Sequence, residues 1–387
     1  MSRTDSPDIV RAMIVFPLRH GSIARPAMTT QSLFPPADLR QAWPRPSAPR
    51  PIVVIGAGSI VRDAHLPVYK RLGFPVVGIF DVNPEASRDK ARAYSIARVF
   101  GSIDEAVAAK DAIFDVAIPP ENIAGVVERL PPGAAVLIQK PMGRDLADAR
   151  RIMAICRERR LVAAMNFQLR FAPNMLALKD ALERGLLGEL LDVEVRLNLH
   201  TPWNYWAFLK GVPRLEVLLH SIHYLDLIRS MLGEPRGVYC KGVRHPAMPD
   251  YPDVRTSIIL DYGDTIRCSL TMNHAHTFGA RFGMSQLKLE GTAGAAIAKM
   301  GVNLNYPEGE PDTLEFARTD SDWSTIALRG SWFLEAFEGP MSNLQRFVAR
   351  EDRKLVSSVE DAIRTMAVVE ACYDSSAHGA TPIQSID

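Results

Sequence analysis

Ile52-Val53-Val54-Ile55-Gly56-Ala57-Gly58-Ser59-Ile60-Val61 is the stretch whose reading decides the fold. Four consecutive apolar residues read as a buried strand. Glycines at its end let backbone N–H groups of the next helix approach a pyrophosphate closely. They fill the first two places of G-x-G-x-x-G; the third is Val61, so helix and strand must pack through a bulkier contact. A helix over 61–72 follows, then a second strand, Val76-Val77-Gly78-Ile79-Phe80, that ends in Asp81. A carboxylate there accepts hydrogen bonds from a ribose 2′-hydroxyl and repels the extra phosphate of NADP. The order strand, glycines, helix, strand, acid points to a dinucleotide site that takes NAD in preference to NADP. The competing reading is an α/β turn that binds nothing.

Outward from this stretch the chain alternates between strand and helix. Helices are expected over 84–93, 103–109, 122–129 and 146–160, and strands over 114–118, 135–138 and 161–165. Asn83 and Pro84 open the first of these helices, with proline at the position where its missing N–H costs nothing. Such alternation implies a doubly wound parallel sheet with ligands at the carboxyl ends of its strands.

After about Phe171 the pattern changes. Helices are expected over 173–183 and 217–232, and a closing helix over 359–377. Strands are expected over 190–199, 238–243, 256–262, 265–272 and 285–290, with a hairpin turn at Gly263-Asp264. The expected organisation is a Pro/Arg-rich extension over 1–50, a Rossmann domain over 51–170, and an α+β domain over 171–387. The second domain carries a mostly antiparallel sheet. A chain of 387 residues supports two domains. Within the extension, Trp43-Pro44-Arg45-Pro46-Ser47-Ala48-Pro49-Arg50-Pro51 excludes helix. It reads as a disordered segment, as sequence ahead of a later start at Met28, or as an arm that wraps a neighbouring subunit.

Composition narrows the function classes. A net charge of +1 gives no electrostatic case for a nucleic-acid partner or an anionic membrane. The four cysteines, Cys156, Cys240, Cys268 and Cys372, form no C-x-x-C pair and read as reduced residues of a cytoplasmic protein. No apolar run approaches the roughly 20 residues that span a bilayer. The early apolar stretch is cut short by Pro17 and Arg19 and does not read as a signal peptide.

The candidate chemistry sits at strand ends and on one helix. Lys140 follows the strand over 135–138 at the cofactor end of the sheet; a lysine there is either solvated or a proton-transfer group with a lowered pKa. His220 and His223 share a helix face that Asp226 continues. H-x-x-H without a third ligand is a poor metal signal, so no metal is expected. A general base with an orienting neighbour competes with two satisfied helix histidines. Arg170 is a substrate ligand or an interdomain salt-bridge residue. Trp203, Tyr205 and Trp206 either hold a sugar ring or anchor a loop. His274 and His276 are further candidates. No nucleophile elbow, Walker A lysine or cysteine–histidine signature is present.

Taken together, Gly56-Ala57-Gly58-Ser59-Ile60, Asp81, Pro119-Pro120, Lys140-Pro141, Asn166-x-x-x-Arg170-Phe171-x-Pro173 and His223-x-x-Asp226-Leu227 resemble the Gfo/Idh/MocA oxidoreductases. The resemblance runs from about Pro51 to Gly379. It implies a Rossmann domain plus an open-faced sheet domain that often associates into dimers or tetramers. It also implies hydride transfer between NAD(P) and a carbinol, typically of a sugar or cyclitol. By position, Gly56, Gly58, Ser59, Ile60, Asp81, Pro119, Pro120 and Lys140 would line the cofactor site. Lys140 matches the lysine of the family's Glu-Lys-Pro motif and His223 its helix histidine, both expected at the reacting oxygen.

Two departures stand out: Gln139 replaces the glutamate before the lysine, and Leu219 the aspartate before the histidine. His220, with Glu216 one turn earlier to orient it, is the candidate replacement for that acid. The departures leave two alternatives to a simple dehydrogenase. One is a redox-neutral sugar elimination that oxidises and re-reduces its substrate; the other is a non-catalytic binding protein.

Overall fold

A computed structural model of the chain describes residues 34–306 and 308–384. Strands β1 (Ile52–Ile55), β2 (Val76–Phe80), β3 (Arg98–Val99), β4 (Ile113–Val116), β5 (Ala135–Gln139) and β6 (Val162–Asn166) pair in parallel, in the spatial order 3-2-1-4-5-6. Their connections carry α1 (Leu66–Leu72), α2 (Pro84–Tyr94), α3 (Ile103–Val107), α4 (Ile123–Val127) and α5 (Leu146–Glu158). Side-chain caps start three of these helices: Asn83 accepts from Glu85 N, Ser102 from Glu105 N and Asp145 from Asp148 N. Strand order reverses direction between β1 and β4, and the crevice outside such a switch point is where doubly wound sheets bind ligands. The glycine loop ends β1 there. Strand β3, only two residues long, is too short to register as a period in the sequence.

Beneath the loop a buried polar cluster ties α1 to the sheet. Asp115 of β4 lies 2.7 Å from His65 Nδ1 and accepts from Tyr69 Oη at 2.9 Å, while Asn166 Nδ2 donates to His65 Nε2 at 3.1 Å. Donation into Nε2 fixes the His65 proton on Nδ1, facing the carboxylate.

The second sheet contains β7 (Leu190–Asn198), β8 (Gly237–Val243), β9 (Arg255–Asp261), β10 (Arg267–Asn273), β11 (Met284–Gly291), β12 (Gly294–Lys299), β13 (Thr313–Arg318) and β14 (Ser324–Thr325), in the order 14-13-12-11-7-10-9-8. Only the β7–β10 pair is parallel. Burial alternates along β9, with Thr256, Ile258 and Leu260 inside and Ser257 and Ile259 outside. One face is therefore covered and the other open. Helices α6 (Pro173–Glu183) and α7 (Ile222–Leu232) belong to this half.

The helices do not respect a single cut after residue 170. Helix α8 (Trp332–Glu335) leads into α9 (Glu338–Val348), which packs on β5 and β6, and α10 (Val359–His378) touches α5, α7, β6 and β8. Phe337, Met341 and Leu344 share a core with Ile52, Val54 and Val61. The chain thus returns to complete the first sheet's outer layer.

Residues 34–50 are also unlike the expected disordered extension. They run across their own chain as an extended strap. Leu39 is buried; Trp43 packs edge-on against Phe171 at 5.2 Å and donates Nε1–H to Asp352. Gln41 exchanges two hydrogen bonds with Ala327 O and Arg329 N, and Arg50 N donates to Gln345. Prolines forbid helix here, and side-chain amides supply the partners that an unpaired backbone needs. Met28 lies outside the described residues. Among those residues no helix is long and apolar enough to cross a membrane.

Candidate active site

The glycine loop is shaped for a dinucleotide. Gly56 has φ +107°, and a Cβ there would lie 2.1 Å from Ala117 O, so only glycine lets β1 turn against β4. A Cβ on Gly58 would meet nothing within 4 Å, which leaves open space above the loop. The helix starts at Ser59 and Ile60, whose N–H groups have no preceding turn to bond. It then opens through a π-helical turn, Val61–His65, at the place where the fingerprint lacks its third glycine. Pro119 and Pro120 follow β4 across the switch point, and Pro119 is exposed there. These residues fit a bound NAD.

Asp81 stands at the end of β2. Its Oδ2 accepts from Ala57 N at 2.6 Å and its Oδ1 from Asn83 N at 2.8 Å, so the carboxylate also props the glycine loop. Asp81→Ala should weaken NAD binding more than NADP binding, because only the former loses a ribose acceptor while the latter is relieved of a repulsion. Titration of both cofactors by fluorescence checks this; equal losses would leave Asp81 as a loop prop only.

Lys140 leaves the end of β5 and reaches the other half of the molecule. Its Nζ donates to Leu219 O at 2.9 Å, and burial lowers its pKa to about 8. Leu219 stands where the resemblance expects an aspartate, yet its backbone carbonyl serves the lysine instead. It lies in a π-helical turn, Glu216–Ser221, that leads into α7. Gln139 Oε1 and His223 Nδ1 are buried without hydrogen-bond partners in this region. His223 is held neutral by burial and by the nearby Lys140 charge.

His220 has a different neighbourhood. Its ring stacks on His274 at 4.4 Å, and Glu216 Oε2 lies 3.3 Å from His220 Nδ1 and 3.4 Å from His274 Nε2. Glu216 is fully buried, which raises its pKa, while burial lowers those of both histidines. Trp203 closes this cluster with its ring 4.6 Å from Tyr251 and 5.9 Å from His220. Trp206 packs instead on Tyr306 at 5.1 Å, apart from the histidines. Trp332, absent from the sequence-based candidates, lies 5.9 Å from His223. His274, just past β10, reaches the cluster because β9 packs against the Glu216–Ser221 turn, a long-range contact with no local signature.

Arg170 is a correction. Its guanidinium is buried and largely engaged: Nε and Nη2 donate to Asp226 at 2.5 Å each, Nη1 to Val356 O at 3.0 Å, and Asp361 lies 2.6 Å away. With its side chain only 6% exposed, the guanidinium is held in this ion pair rather than presented to a substrate. The pair with Asp226 clamps β6's exit to α7, and Asp226 is likewise spent on it.

Comparison with known proteins gives the same assignment for both halves. The model of the "Oxidoreductase family, NAD-binding Rossmann fold" matches residues 50–167, and that of the "GFO/IDH/MocA C-terminal domain" matches residues 175–297. D-apiose dehydrogenase of Paraburkholderia graminis is 25% identical over 341 residues, covering 85% of this chain and 88% of that enzyme. Trans-1,2-dihydrobenzene-1,2-diol dehydrogenase of Macaca fascicularis is 30% identical over 251 residues, covering 61% and 73%. Among solved structures, an Agrobacterium radiobacter oxidoreductase in complex with NAD+, L-tartaric acid and magnesium superposes with a TM-score of 0.73 at 20% identity, over 86% of this chain and 98% of that one. With both domain models matched in order on a Rossmann sheet and an open-faced partner sheet, the chain is a member of the Gfo/Idh/MocA oxidoreductase family with an NAD-binding domain.

Proposed function

We propose that this protein is a dehydrogenase that oxidises a carbinol of a sugar, cyclitol or related polyol, with Lys140 as the proton-transfer residue. The observation that carries the reading is the Lys140 amine at the carboxyl end of β5, with a pKa of about 8 and a single backbone partner. NAD, when bound, supplies the hydride acceptor. Neutral Lys140 takes the hydroxyl proton as the carbinol C–H bond gives up its hydride, and the Leu219 carbonyl keeps Nζ oriented. His223, uncharged, hydrogen-bonds the same or an adjacent hydroxyl through its unpartnered Nδ1 and does not act as an imidazolium acid. Trp203 offers an aromatic wall for a ring substrate. The dehydrogenases of sugars and dihydrodiols among the relatives support this substrate class.

Oxidation needs the free amine, so NAD reduction should rise with pH through about 8 and level above it. The reverse reduction needs the ammonium and should fall over the same range. A pH–rate profile in both directions tests this; an oxidation rate flat across that range would remove Lys140 from the proton path.

The four free cysteines fit a reducing compartment such as the cytoplasm, and the open sheet face fits a homodimer or homotetramer. Tyr239 and Ile259 are 67% and 50% exposed on the open face of the second sheet, where apolar side chains favour a partner copy.

A further inference from the structure

Glu216 is fully buried, and among the described residues no lysine or arginine forms an ion pair with it. An unpaired carboxylate in such a place is costly unless it is protonated or faces a cation. Its carboxylate is surrounded by two imidazoles and the Ser221 hydroxyl. Glu216 Oε2, a nitrogen of His220 and a nitrogen of His274 lie within 4.8 Å of one another. The 3.3 and 3.4 Å separations from Oε2 to His220 Nδ1 and His274 Nε2 are long for hydrogen bonds between such groups. They match the edge of a tetrahedron with bonds of about 2.05 Å, which is about 3.3 Å. His274 Nε2 is also buried without an aligned hydrogen-bond partner, although the carboxylate is next to it.

The surrounding atoms are those a ligand set requires. Thr201 Oγ1 lies 3.0 Å from His274 Nδ1, so that nitrogen can carry the proton and leave Nε2 as a lone-pair donor. Ser221 Oγ donates to Glu216 Oε1 at 2.5 Å and fixes the carboxylate's rotation. Glu216 and His220 are four apart on one turn, and His274 comes from the second sheet, just past the end of β10. Glu216 and His274 are buried, and only the His220 side chain keeps an exposed edge, at 23%.

We infer that Glu216, His220 and His274 form a binding site for a divalent transition-metal ion, with zinc the best match to two nitrogens and one carboxylate oxygen. Two imidazoles and one carboxylate are donor types that divalent zinc takes. Three protein ligands leave a coordination position for water or a substrate oxygen. The site adjoins the Lys140 region, since the carbonyl that accepts Nζ belongs to the residue before His220. It goes beyond the dehydrogenase reading and stands or falls separately, because metal binding is measured without turnover.

The test uses the full chain, stripped with a chelator and titrated with Zn2+ by calorimetry and with Co2+ by visible absorption. One equivalent should bind, and Co2+ should give the intense d–d bands of a four-coordinate site. His274→Gln and Glu216→Gln should each weaken binding by at least about 100-fold, and Thr201→Val by about 10–100-fold through loss of the histidine's support. Thr201→Val guards against a ligand variant that fails to fold. Binding well below one equivalent would overturn the proposal. So would a Thr201→Val and a folded His274→Gln protein that bind as tightly as the parent.

Discussion

Lys140→Ala is expected to lower the turnover of NAD-linked oxidation by about 10²–10⁴-fold, the usual cost of removing a positioned acid–base group. Affinity for NAD should barely change, because the glycine loop and Asp81 that hold the nucleotide lie on β1 and β2. Stability should not fall either. Lys140 is a desolvated amine with one hydrogen bond, to Leu219 O, so its removal relieves a burial cost while breaking only that contact. Steady-state kinetics, NAD titration and a thermal melt on one preparation separate these outcomes. Full retained activity would end the assignment of Lys140 as the proton-transfer residue.

Arg170→Ala should act the opposite way, with a large loss of stability and little direct effect on chemistry. Removing one partner of a buried ion pair typically costs about 3–5 kcal/mol, because the other charge is left uncompensated. Here the orphaned group would be Asp226, fully buried on α7, which would keep only Thr365 as a hydrogen-bond partner. Exposed pairs such as Arg92–Asp89 on α2 should contribute at most about 1 kcal/mol, and Arg92→Ala provides the control. Urea unfolding of both variants reads the difference. The folded fraction of Arg170→Ala should keep an unchanged KM for substrate. Normal stability with a raised KM would instead return Arg170 to the substrate site.

Much of the nucleotide half could be read along the chain because its signals are local. Gly56, Gly58 and Asp81 sit at strand ends that the apolar runs announce, and Lys140 follows a strand of the same kind. What escaped reading depends on contacts between distant residues. Strap residues 34–50 find partners such as Gln345 and Asp352 some three hundred positions later, which no composition rule anticipates. Helix α9 carries Gly339 and Pro340 in its first turn, so propensity argues against it although the sheet needs its apolar face. Strand β12, Gly-Ala-Ala-Ile-Ala-Lys, has the small residues of a turn and few of the branched ones that mark a strand.

The candidate site shows the same division. Glu216 and His220 are neighbours by helical spacing, and their proximity could be read directly. His274 joins them only because the second sheet packs against that turn, so the three-residue cluster was not visible beforehand. Arg170 looked available because a strand end is where substrates bind. Its commitment to Asp226 and Asp361 depends on α7 and α10 meeting there.

The most direct test of the account is an incubation of the purified protein with NAD and a pooled panel of sugars, cyclitols, cyclic diols and glycosides. Cofactor absorbance and product masses are followed together. Accumulation of NADH with a product two hydrogens lighter than one panel member is the predicted result, and it would name the substrate. A panel member altered without net NADH would contradict the account in favour of a redox-neutral elimination. NAD binding with no change in any panel member would contradict it in favour of a non-catalytic role.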